Sequence, residues 1–302
     1  MKILLFGKDG QVGWELQRAL SPLGEIVALG RAGDDNPGGL CGDFTNPEGI
    51  AETVRRLAPE VIVNAAAYTA VDKAESEPEQ ARLINARTPA FLARTAGSLG
   101  AWLVQYSTDY VFNGRGTRAS REQDPTDPVN VYGVTKLEGE QAVRVLGGRY
   151  LILRTSWVYG ARGGNFAKTI LRLARERDHL TVIDDQIGAP TGADLVADVT
   201  AHLIRTAHRR PEVGGLYHLV AAGEVSWHGY ASFVLDFARR NGVQLKAGAD
   251  AVAPVPSSDF PTAAQRPHNS RLDTTRLQEM FDLTLPHWQT GVSRMLTEFL
   301  AK

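Results

Sequence analysis

Residues 3–6, Ile-Leu-Leu-Phe, run directly into Gly7, and glycine returns at positions 10 and 13 at the head of an amphipathic pattern. A buried strand, a tight turn and a helix in that order open a βαβ unit, and glycines at the first, fourth and seventh positions fit a dinucleotide-binding turn. Gly7 permits the turn, Gly10 lets backbone approach a pyrophosphate, and Gly13 allows helix to pack closely on strand. The unpaired amides of the helix N-terminus then favour negative charge.

The rest of the chain repeats that alternation. Apolar runs at 26–29, 61–63, 102–104 and 150–153 read as strands buried on both faces of a parallel sheet. Helical patterns at 11–22, 46–58, 75–99 and 131–147 are long enough to be right-handed crossovers between them. After Trp157 the spacing predicts helices at 164–177, 193–207 and 226–241 and short strands near 180–183 and 216–219. The fold class expected is α/β: a doubly wound parallel Rossmann sheet with a smaller, mixed α/β C-terminal substrate domain. The division expected is 1–157 for an NAD(P)-binding domain, to which the chain returns around 186–222, and 158–302 mainly for substrate. Residues 247–269, with prolines at 254, 256, 261 and 267, are expected to be an irregular excursion.

Composition narrows the function classes. Of 302 residues, 33 are basic and 34 acidic, and no basic run offers a nucleic acid its electrostatic footprint. Cys41 is the only cysteine, which excludes an intrachain disulfide and a Cys-rich metal site and fits a reducing, cytoplasmic location. The first apolar run is far too short for a signal peptide, and nothing approaches the ~18 apolar residues of a membrane span. The seven histidines show no paired metal-ligating spacing.

Two further segments carry chemistry. Tyr132 and Lys136 lie at i and i+4, on one face of a predicted helix, where an ammonium is expected to lower the pKa of the phenol and make it a better general acid. Ser107-Thr108-Asp109-Tyr110 ends the strand near 102–106, at the carboxyl edge where open α/β sheets bind ligands. At the end of the second strand stands Leu29-Gly30-Arg31. A carboxylate that would repel a 2′-phosphate is missing there and Arg31 is available to pair with one, which points to NADPH; the other reading leaves Arg31 solvated and gives the ribose to Asp34 or Asp35.

The strings GKDGQVGWELQRAL, CGDFTNPEG, NAAAYTAVDKAE, YSTDYVFNG, NVYGVTKLEGE, RTSWVYG, GNFAKT, DDQIGAPTGADL and RPHNSRLD resemble the dTDP-4-dehydrorhamnose reductase family of extended short-chain dehydrogenases/reductases, from Met1 to the C-terminal helix. The resemblance implies reduction at C4 of a keto sugar nucleotide, with Tyr132 as proton donor, Thr108 polarising the keto oxygen and Lys136 holding the nicotinamide ribose. It places Gly10, Gln11 and Val12 at the pyrophosphate, Asp43 and Phe44 at the adenine, and Ala67, Tyr68, Thr69 and Tyr106 beside the nicotinamide. Asp109, Trp157, Asn165 and Arg266 match substrate positions, and Gln186, Thr191, Asn269 and Ser270 fall in the same nucleotide-clamping strings. It also implies a homodimer bridged by Mg²⁺ through Glu15, Asp194 and Glu298. Gly30, with an insert from Gly33 to Leu40, departs from the acidic residue of many relatives, which argues against strict NADH use and leaves NADH only as a second cofactor beside NADPH. Tyr110 replaces the second carboxylate a dehydratase needs after Thr-Asp. Another sugar-nucleotide reductase or epimerase, and a non-catalytic subunit similar to the methionine adenosyltransferase beta subunit, remain as alternatives.

Overall fold

The computed structural model describes residues 1–32 and 36–301. Strands β1 (Lys2–Phe6), β2 (Glu25–Leu29), β3 (Val61–Asn64), β4 (Trp102–Thr108) and β5 (Arg149–Thr155) alternate with helices α1 (Gln11–Leu20), α2 (Pro47–Leu57), α3 (Val71–Ser76), α4 (Pro78–Arg82), α5 (Thr88–Leu99) and α6 (Val131–Leu146). Beyond them come β6 (Val158–Tyr159), α7 (Phe166–Glu176), β7 (Leu180–Ile183), β8 (Ile187–Gly188), β9 (Thr191–Gly192), α8 (Ala193–Arg209) and β10 (Gly215–His218). The chain closes with β11 (Val225–Ser226), α9 (Trp227–Arg240), β12 (Val252–Val255), α10 (Thr275–Phe281) and α11 (Trp288–Leu300).

The central sheet has the order β10-β5-β4-β3-β1-β2, every pair parallel. Its two faces separate by pleat: Ile3 and Leu5 pack with α1 and α8, whereas Leu4 and Phe6 pack with α2, α5 and α6. Both faces are covered, so β1 from Ile3, β3 as far as Val63 and β4 as far as Val104 carry continuous apolar runs. Strand order reverses between β1 and β3, which opens a crevice at their carboxyl ends. β10 and α8, although they follow Trp157, belong to this layered unit: β10 pairs with β5, and Val196 and Leu203 of α8 lie in its core. A second core joins α7, α9 and α11 to β7 and β12 around Ile170, Tyr230, Val234 and Trp288.

Two expected elements differ. Residues 75–99 are not one helix: Pro78 starts a new helix after α3, and a π-helical turn at Leu83–Arg87 precedes α5. Proline has no N–H to continue the preceding helix and favours the first turn of the next. The irregular stretch 247–269 contains a strand, because β12 finds a parallel partner in β7 despite Pro254. No helix among the described residues is long and apolar enough to cross a membrane.

Candidate active site

Gly7 has φ +83°, and a Cβ there would stand 2.7 Å from the Ala65 carbonyl carbon and the Ala66 nitrogen. The turn is pinned from the other side, since the Gly7 and Lys8 amides donate to the Leu29 carbonyl at 3.0 and 3.2 Å. Gly13 lies beneath this turn, where a Cβ would collide with the Gly7 carbonyl oxygen. Gly10 caps α1 without any side-chain hydrogen bond, and no acid occupies the first turn, so the helix amides face the crevice unopposed. These features fit the diphosphate of a dinucleotide.

A cleft of about 750 Å³ runs from this loop along the carboxyl edge of the sheet. Gly7, Gly10, Gln11 and Val12 line one end, with Arg31, Asp43 and Phe44 beside them. Ala67, Tyr68 and Thr69 form the wall after β3, and Tyr106, Thr108, Asp109, Tyr132, Lys136 and Trp157 close the other end. Arg31 has no ion pair among the described residues; Asp34 and Asp35, the alternative ribose partners, lie outside them. Asn85, on the π-helical turn, organises the wall: its Oδ1 accepts from the Tyr68 amide at 2.8 Å and its Nδ2 donates to the Tyr68 carbonyl and the Thr135 hydroxyl, each at 3.1 Å.

Asn130 caps α6 by accepting from the Gly133 amide at 2.8 Å, which starts the helix just before Tyr132. Lys136 is 4% exposed and donates to the Tyr106 carbonyl at 2.6 Å. The Tyr106 side chain itself points away, its hydroxyl 2.7 Å from that of Thr200, so this residue serves the cleft through backbone. Burial pushes the Lys136 ammonium down to about 8, with Glu140 one turn on acting the other way. The expected depression of the Tyr132 pKa by Lys136 is not met. Withdrawal from water pushes the phenol up to about 12, against a partly offsetting hydrogen bond with Thr108, while the ammonium is spent on the Tyr106 carbonyl. The phenol is therefore fully protonated at neutral pH, as a proton donor must be.

Asp109 is buried, with Oδ1 accepting from the Thr108 hydroxyl at 3.1 Å and Oδ2 lacking a partner among the described residues. Burial raises its pKa to about 7. Below this layer Glu140 and Arg154, 1% and 2% exposed, form a bidentate pair at 2.7 and 2.8 Å that ties α6 to β5. His218 beside them is pushed down to about 3 by burial and by Arg154, and stays neutral.

Trp157 holds φ +50°, an uncommon conformation for so large a residue. Its ring is sandwiched: Trp227 stacks on it at 3.6 Å and 12°, and a Cβ at Gly188 would approach Trp157 Cε2 to 2.7 Å. Gln186 Oε1 in turn accepts from Trp227 Nε1 at 3.2 Å.

Other expected substrate residues are engaged elsewhere. Asn165 does not reach the cleft: it caps α7 through the Lys168 amide at 3.1 Å and donates to the Gly160 carbonyl at 2.8 Å, so both ends of its amide are committed. Arg266 grips Asp72 of α3 at 2.6 and 3.0 Å. Thr191 and Asn269 bond the Ala189 and Arg118 carbonyls. The three residues expected to hold Mg²⁺ are engaged in ion pairs within this chain. Glu15, Asp194 and Glu298 share a cavity of about 410 Å³, but Arg18 pairs with Glu15 at 3.3 Å, and Arg294 faces Asp194 at 3.7 Å and Glu298 at 3.3 Å. Guanidinium groups supply the counter-charge there, and no metal-holding carboxylate, thiolate or imidazole cluster exists among the described residues.

Sequence reasoning missed Asn85, Glu140, Arg154 and Trp227. Only Glu140 left a signal, at i+4 from Lys136; Trp227 stands seventy positions from the ring it supports.

Residues 1–301 match the family profile described as the RmlD substrate binding domain. The dTDP-4-dehydrorhamnose reductase of Shigella flexneri is 58% identical over 298 residues, 99% of this chain and 98% of that one. Its counterpart from Salmonella typhimurium is 59% identical over the same length and coverage. Among solved structures, the dTDP-4-dehydrorhamnose reductase of Bacillus anthracis in complex with NADP is similar with a TM-score of 0.88 and 35% identity, covering 98% of this chain and 99% of that one.

Proposed function

The chain belongs to the RmlD substrate binding domain family, and on that premise we propose that it is an NADPH-dependent oxidoreductase that reduces the C4 keto group of dTDP-4-dehydro-L-rhamnose to give dTDP-L-rhamnose. The observation that carries this reading is the meeting, in one cleft, of the glycine turn with Thr108, Tyr132 and Lys136.

NADPH supplies the hydride to C4 when bound. Tyr132, protonated throughout the neutral range, gives its phenolic proton to the keto oxygen, so a C–H and an O–H bond form as the C=O π bond is lost. The Thr108 hydroxyl polarises that oxygen and orients it beside Tyr132. Lys136 stabilises the resulting phenolate and holds the nicotinamide ribose, and solvent reprotonates Tyr132. Gly10, Gln11 and Val12 take the diphosphate of the cofactor, Arg31 its 2′-phosphate, and Asp43 and Phe44 its adenine, while Ala67, Tyr68 and Thr69 flank the nicotinamide. Asp109 and Trp157 face the sugar, and Arg266 meets the nucleotide diphosphate after leaving Asp72. Residues 1–157 with 186–222 serve as the cofactor half, and most of 158–302 as the substrate half. The lone, half-buried Cys41 supports a cytoplasmic location.

The test is to mix the purified protein with NADPH and dTDP-4-dehydro-L-rhamnose and follow absorbance of the reduced nicotinamide together with product formation. Equimolar loss of NADPH and appearance of dTDP-L-rhamnose are expected. Cofactor binding without oxidation would sink the proposal in favour of a non-catalytic subunit.

A further inference from the structure

No acid ends β2: the chain has Gly30 there, and its backbone is fixed. The Gly30 amide donates to Asn36 Oδ1 at 3.0 Å, its carbonyl accepts from Asn36 Nδ2 at 3.1 Å, and a Cβ at Gly42 would collide with that carbonyl. A Cβ at Gly30 would in turn collide with Oδ2 of Asp9 and lie 3.1 Å from Cε of Lys8. The volume that a side chain at position 30 would enter thus already holds a carboxylate, delivered from the glycine turn. Asp9 is exposed, lines the same cleft as Arg31, Asp43 and Phe44, and has no hydrogen bond or ion pair among the described residues.

We propose that Asp9 is a specificity-determining residue for the cofactor: its carboxylate accepts from the 2′-hydroxyl of the adenosine ribose and opposes a 2′-phosphate, so that with Arg31 beside it the site takes both NADH and NADPH. Oppositely charged groups in one cleft pull the choice in opposite directions. A 2′-phosphate, with a charge of about −1.5 to −2 near neutral pH, gains from the guanidinium and loses to the carboxylate. A 2′-hydroxyl loses nothing to Asp9 and gains a charge-assisted hydrogen bond. The inference rests on the proposed use of a nicotinamide dinucleotide but not on the identity of the sugar.

Calorimetric titration of the full chain with NADPH and with NADH, without substrate, separates the two contributions for wild type, Asp9→Asn, Asp9→Ser and Arg31→Ala. Both Asp9 variants should raise the ratio of Kd for NADH to Kd for NADPH by about tenfold, the scale of one charge-assisted contact, and Arg31→Ala should lower it by a similar factor. Added salt should shrink the Asp9 effect on NADPH more than that on NADH. A ratio unchanged within about twofold in both Asp9 variants, or shifted toward NADH, overturns the inference and leaves the reductase reading standing. A wild-type chain that binds neither cofactor overturns both.

Discussion

The two ends of the cleft are built from different materials. The phosphate end is backbone: Gly7, Gly10 and Gly13 and the small residues after β3 make room, and the helix amides stand there without a side-chain cap. The other end is side chain: Tyr132 and Lys136 of α6, Asp109 after β4 and Trp157 after β5 come from three segments and are held by buried hydrogen bonds and ring stacking. Titratable groups moved far from their ordinary values, Tyr132, Lys136 and Asp109, gather at the second end. A backbone site tolerates no added atoms, whereas a side-chain site fails by loss of charge or protons.

The contrast breaks most visibly at Tyr132. Tyr132→Phe should lower kcat by roughly 10²-fold or more and leave the Kd for NADPH nearly unchanged, checked by steady-state kinetics beside calorimetry. Gly13→Ala should do the reverse, weakening NADPH by about thirtyfold because its methyl group pushes the helix off the Gly7 turn, while enzyme saturated with cofactor keeps most of its kcat.

Charge sharpens the comparison further. Lys136 is an ammonium below about pH 8 and neutral above it, so kcat should fall as pH rises through that value. Glu140→Gln removes the carboxylate that holds this ammonium up, and the alkaline limb should move down by about one pH unit. If the limb stays in place while activity drops evenly at all pH values, Glu140 only braces the helix. Asp109, with a folded pKa raised to about 7, contributes stability that is complete below its ordinary value of 3.8 and lost as pH climbs through 7. Relative to wild type, Asp109→Asn should therefore gain on the order of 2 kcal/mol in urea unfolding between pH 5 and pH 8. The smallest effect expected is at Trp227→Leu: a rise of about fivefold in KM for the sugar nucleotide, since Trp157 loses the ring stacked on it.

The same contrast explains what could be read beforehand. The glycine turn, the buried strands and Tyr132 with Lys136 are contiguous or one helical turn apart, so periodicity and spacing expose them. Strands β6, β8, β9 and β11 are two residues long and exist only through distant partners such as Asn269, which bridges to Ile187. β12 forms against β7, a partner some seventy positions away that composition does not reveal. Glu15, Asp194 and Glu298 read in the sequence as isolated carboxylates, and only the fold brings Arg18 and Arg294 among them. Asp9 was overlooked because the usual place for a ribose carboxylate is the strand end, and only the fold shows the turn reaching into it.

The return of α8 and β10 to the large sheet also has a bearing on biosynthesis. A nascent chain that has left the ribosome only as far as Trp157 leaves the face of Ile3, Leu5, Val61 and Val63 only partly covered, because α8, which shares that core with α1, has not been made. Roughly sixty more residues must emerge before that surface is sealed and β5 gains its neighbour, so translation order obliges the large sheet to wait for its distal segment, a window in which chaperone capture is most needed.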